Sequence, residues 1–112
     1  MERYTNFLIS PPIMKQEAYR IQPKGYFDAT QANGFRAQIR EAIHAKANTV
    51  ILDCQDVLCI DSSGLGELIL AYKSLRQVQS KFILCAINEQ IETLLSMTGM
   101  NQIFEVQQEQ SS

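Results

Sequence analysis

Histidine occurs once in this 112-residue chain, at position 44. A Ser-His-Asp device would therefore have to use His44, and a metal site built on two histidines is impossible. Cysteine occurs three times, as Cys54, Cys59 and Cys85. The number is odd, no C-x-x-C spacing occurs, and all three sit in apolar runs. They read as buried small hydrophobes of a protein kept in a reducing, cytoplasmic setting. No run of about 18 or more apolar residues exists, so no helical membrane span is expected. The opening "MERYTNFLISPP" lacks a basic leader followed by a long apolar run and does not read as a signal peptide. A basic excess is also missing. Lys and Arg number 10 against 12 Asp and Glu, a net charge of −2, which argues against sequence-independent nucleic-acid binding.

What is present suffices for a core, since 46% of the residues are hydrophobic. One small domain over residues 1–112 is expected, with its recognisable part at about 18–106 and a frayed polar tail, "QQEQSS". "AYRIQPKG", Ala18 to Gly25, alternates like a half-buried strand that Pro23 ends or holds at an edge. An earlier strand between Tyr4 and Lys15 would make a hairpin-like pair with it. Asp28 or Thr30 can cap a first helix whose apolar face is Phe35, Ile39, Ala42, Ile43 and Lys46. Gly34 lies inside that helix. "NTVILDC" reads as a strand covered on both faces, and "VLCI" as an apolar run behind it. Leu65, Leu68, Ile69, Tyr72 and Leu75 mark a second helix reaching about Val78. "KFILCAI" is another apolar strand. Ile91, Leu94 and Leu95 mark a third helix, ended by Gly99 in the left-handed conformation. "IFEV" is a last short strand. Strands alternating with helices imply an α/β fold with a largely parallel sheet.

The stretch "CIDSSGLGELIL", Cys59 to Leu70, joins a strand to the second helix. Ligands in open α/β sheets collect at such junctions. A phosphate loop fits poorly: Gly64 and Gly66 are there, but the third glycine of G-x-G-x-x-G is not, and no Gly-Lys-Ser/Thr occurs. A helix cap fits, because an Asp or Ser oxygen can accept from the orphan amides of the first turn. A modified serine fits as well. A phosphate at a helix N-terminus meets unpaired amides and the positive end of the macrodipole. The two glycines would keep the surroundings low and accessible, and Asp61 could orient the hydroxyl or help hold a nucleotide-bound metal. An enzymatic reading, a small nucleotide hydrolase, lacks a recognisable base and nucleophile, since Asp61 and Asp28 alone are weak evidence. Among the methionines, core filling is the expected role of Met97 and Met100.

"DSSGLGELILAYKSL", Asp61 to Leu75, resembles the D-S-S/T-G-L-G motif and following helix of STAS domains of the bacterial anti-sigma factor antagonist type. "GYFDATQANGFRAQI", Gly25 to Ile39, resembles that family's G-x-L/I-D turn, and "NTVILDCQDVLCI" and "KFILCAINEQIETLLSMTGMNQIFEV" fit its later strands and third helix. The resemblance implies a mixed, mostly parallel sheet of four to five strands with three to four helices. It implies a phosphorylatable binding module, not an enzyme, without a cofactor. Ser62 would be the phosphoacceptor, with Ser63 the second choice. Asp28, Asp61, Ser62, Ser63, Gly64, Leu65 and Gly66 would form the partner surface. The implied partners are an anti-sigma factor with serine kinase activity and a PP2C-type phosphatase, met by a monomer. The alternative within the fold is a non-switching STAS subunit of a transport or sensory complex. Tyr26, where an acidic residue is common, and Pro23 depart from the family pattern near that surface.

Overall fold

The computed structural model describes residues 18–107. The expected strand between Tyr4 and Lys15 lies outside them. Strand β1 (Ala18–Ile21) stops just before Pro23, which has no amide hydrogen to continue a ladder. Strand β2 (Gly25–Phe27) follows, then a single 3₁₀ turn (Ala29–Gln31) and helix α1 (Ala32–His44). The rest runs β3 (Thr49–Asp53), β4 (Val57–Ile60), α2 (Ser62–Gln77), β5 (Lys81–Cys85), α3 (Glu89–Thr98), a second 3₁₀ turn (Met100–Gln102) and β6 (Glu105–Gln107).

Among the described residues all strand pairs are parallel. The expected sheet divides into two: four strands in the order β1-β3-β5-β6, and a separate ribbon of β2 with β4. The main sheet needs a helix-bearing crossover between neighbours, and α1, α2 and α3 supply them in turn. The apolar run of β3 fits its place between β1 and β5, where Val50 and Leu52 are fully buried. Phe35, Ile39 and Ala42 of α1 are buried as the helical spacing requires, and Ile43 packs against the core. Lys46 does not belong to that face. It lies past the helix end, exposed, with φ 58°, in the turn that leads to β3. Leu65, Leu68, Ala71 and Leu75 bury one face of α2. Gly99 closes α3 at φ 78°, a conformation that costs glycine nothing. Met100 packs against the core, whereas Met97 is 79% exposed and fills none of it. Phe27 and Phe35 meet edge to face, ring centroids 5.1 Å apart, and tie the ribbon to α1.

Candidate functional site

The two strands of the ribbon end side by side. β2 runs into Asp28 and β4 runs into Asp61. Each aspartate is extended and caps the helical turn after it. Asp28 accepts from the Thr30 amide at 3.0 Å and from the Thr30 hydroxyl. It thus caps the 3₁₀ turn; α1 itself starts four residues later, at Ala32. The Asp61 Oδ1 accepts from the Gly64 amide at 2.9 Å, while its carbonyl takes the Leu65 amide at 2.8 Å. A carboxylate at a helix N-terminus satisfies an orphan donor and meets the positive end of the dipole. Asp61 is therefore the cap, which leaves Ser62 and Ser63 free of that task. Both serines are exposed on the first turn of α2, and neither hydroxyl has a partner among the described residues.

Gly64 brings the two aspartates together. A Cβ on it would stand 2.1 Å from the Phe27 carbonyl oxygen and 2.9 Å from the Phe27 ring. Only a glycine lets the first turn of α2 lie on the end of β2. Gly64 and Leu65 are buried there, so they support the surface and offer a partner no side chain. The expectation that both glycines keep the surface low thus needs correcting at Gly64, whose work is close packing. A methyl group on Gly66 would meet nothing within 4 Å.

The ribbon is held by residues that sequence reasoning missed. Two strands alone are marginal in water. The Gln31 side-chain amide donates to the carbonyls of Lys24 and Tyr26 on the outer edge of β2. On the outer edge of β4, the Asn88 amide donates to Val57 and Leu58 at 3.0 and 3.2 Å. Gln90 bonds both groups of Ile60: its Oε1 accepts from the amide and its Nε2 donates to the carbonyl, each at 3.0 Å. Asn88 also caps α3 through the Ile91 amide. Asn88 is a polar residue just before an apolar helical pattern, so its capping role was readable. Its second role, and that of Gln90, joins residues about 30 apart and leaves no local trace.

Next to the site, Arg36 of α1 grips Glu67 of α2 through two bonds of 2.9 and 2.7 Å. The Arg36 hydrogen bonds hold the Glu67 carboxyl below the ordinary carboxylate range against the opposing effect of burial. Of the cysteines, Cys54 and Cys85 are buried and Cys59 partly so. Burial, with Cys85 and Asp53 nearby, pushes the Cys54 thiol up to about 12. Among the described residues no group of three or more His, Cys, Asp or Glu gathers to hold a metal, and no helix is long and apolar enough to cross a membrane.

Comparison with known proteins decides the family. The family model described as STAS domain matches residues 13–111. The chain belongs to the STAS domain family. It is 35% identical over 69 residues to a protein of Listeria monocytogenes named anti-sigma-B factor antagonist, covering 62% of this chain and 56% of that one. It is 28% identical over 87 residues to the anti-sigma F factor antagonist of Paenibacillus polymyxa, covering 77% and 74%. The match thus spans little more than half the length of the Listeria relative. Among solved structures, the Bacillus cell fate determinant SpoIIAA in its phosphorylated form superposes with a TM-score of 0.68 at 21% identity, covering 88% of each chain. SpoIIAA in its unphosphorylated form gives 0.73 at 21%, covering 88% of this chain and 85% of that one. These likenesses bear on the fold, which is that of a STAS domain.

Two residues expected to depart from the family pattern, Pro23 and Tyr26, lie just before the ribbon and on it. Pro23 ends β1 before the ribbon starts, and Tyr26 stands 64% exposed on β2.

Proposed function

We propose that this STAS domain is an anti-sigma factor antagonist that binds its partner when Ser62 is unmodified and lets go when Ser62 carries a phosphate. The observation that carries the reading is the division of labour at the junction. Asp61 does the capping, and Ser62 is left as an exposed hydroxyl on the first turn of α2, without a partner among the described residues. The names of the Listeria and Paenibacillus relatives support the antagonist role. On this reading the domain is the substrate of a serine kinase, carried by the anti-sigma factor, and of a PP2C-type phosphatase. It is not itself an enzyme, and it works in the cytoplasm as a monomer that exchanges partners. Asp28, Asp61 and Ser63 share the surface; Gly64, Leu65 and Gly66 shape it.

A phosphate adds about −1.5 to −2 charges. The helix dipole returns only about 0.3–1 kcal/mol, so the fold should change little. An interface closing over that dianion is a different matter, because leaving a charge desolvated and unpaired costs several kcal/mol. A loss of about 3 kcal/mol weakens binding roughly a hundredfold. The test is intact-mass spectrometry with site mapping on protein from its native cell. One phosphate on Ser62, absent in Ser62→Ala, supports the reading, and the phosphoprotein should melt like the unmodified one while losing its partner. A phosphate on Ser63 moves the site. No phosphate while the native kinase is active returns the domain to the non-switching reading, a subunit of a transport or sensory complex.

A further inference from the structure

Tyr26 and Leu58 are 64% and 63% exposed, and among the described residues only Met97 of the large hydrophobic side chains is more so. Both belong to the β2–β4 ribbon. Tyr26 stands beside Cys59 in the register, and Leu58 is the extra residue where that register shifts. Phe27 and Ile60, the next pair along, are turned into the core. The ribbon thus presents an apolar outer face just before its strands end in Asp28 and Asp61. A free ribbon edge would invite a partner to add a strand. Here the outer edges are already occupied, by Gln31 on β2 and by Asn88 and Gln90 on β4. What remains for recognition is the face.

We propose that Tyr26 and Leu58 are the apolar anchors of a protein-docking face whose partner presents an apolar pocket with lysine or arginine set against Asp28 and Asp61. The charges beside the patch determine the partner's chemistry. Asp28, Asp61 and Glu89, the residue after Asn88, carry negative charge, and the nearby Lys24 is turned to Asp56 at 3.4 Å. Cations in the partner would be matched by these fixed carboxylates, so a phosphate added on Ser62 would exceed them. This part rests on the proposed phosphorylation of Ser62; the anchors do not. A few side chains that become buried at the centre of an interface, tyrosine prominent among them, supply most of its affinity.

The experiment places p-benzoylphenylalanine at position 26, at position 58 and, as a control, at position 70, whose Leu is 53% exposed on α2. Cross-linking is done in the native cell, and the cross-linked peptide is sequenced. The partner so identified is purified and titrated calorimetrically against wild type, Tyr26→Ser, Leu58→Ser and Leu70→Ser. The expected result is cross-links from 26 and 58 to a peptide of apolar residues flanked by Lys or Arg. Tyr26→Ser and Leu58→Ser should each weaken the purified complex at least tenfold, and Leu70→Ser less than twofold. The inference is overturned by cross-links from 70 alone, by none at all, by an acidic contact peptide, or by unchanged affinity in both anchor variants. If the anchors matter but phosphorylated and unmodified protein bind equally, the switch reading fails and the docking face stands.

Discussion

Replacing Gly64 by alanine should unfasten the junction between the ribbon and α2. The added methyl would stand 2.1 Å from the Phe27 carbonyl oxygen, far inside contact distance, and the obstacle is backbone rather than a flexible side-chain end. Overpacking of this kind costs typically about 1–3 kcal/mol, and a backbone obstacle belongs at the upper end. Alanine is also better than glycine inside a helix by about 1 kcal/mol, so the expected net loss is about 2 kcal/mol. Gly66→Ala supplies the control, because its methyl meets nothing within 4 Å and should bring only the helical gain. The two variants should therefore lie on opposite sides of wild type, about 3 kcal/mol apart. At a urea slope of about 2 kcal/mol per M, their unfolding midpoints should differ by about 1.5 M. The assay is equilibrium urea unfolding followed by circular dichroism, with slopes compared to confirm the same transition. If Gly64→Ala unfolds at or above the wild-type midpoint, the close approach of α2 to β2 is not what glycine serves there.

Asp61→Ala should lose about 0.5–2 kcal/mol of stability in the same assay, while Asp61→Asn, which keeps a capping oxygen, should lose much less. The Glu67 carboxyl is held below its ordinary 4.5 by Arg36, so the unfolded chain takes up that proton more readily than the folded one. The resulting stabilisation is fully present above pH 4.5 and is lost as the pH falls through the lower, folded value. Thermal melts across the acid range up to neutrality should thus show a shallower acid-side decline in Glu67→Gln than in wild type. Iodoacetamide labelling followed by peptide mass spectrometry should modify Cys59 first, with Cys54 reacting only on unfolding, since burial keeps its thiol protonated.

Much of this protein is legible in its sequence because the relevant physics is local. The periodicity at Phe35, Ile39 and Ala42, and at Leu65, Leu68 and Leu75, is a property of one helix turned to one core. Pro23 and Gly99 mark their boundaries because each acts at its own residue, proline by lacking an amide hydrogen and glycine by admitting a positive φ. The motif at Asp61–Gly66 identifies the junction, since caps need only neighbours three residues away. Spacing alone assigns Lys46 to a helical face, and the turn that removes it belongs to the path into β3. Only the tertiary structure decided that the strands divide into a four-stranded sheet and a ribbon, that Gly64 lies on Phe27, and that Gln31, Asn88 and Gln90 close the ribbon's edges. Those contacts join residues roughly 30 or more apart, or turn a side chain back onto a strand. Nothing in a local pattern encodes them, because their energy exists only once the chain has brought the two ends of the contact together.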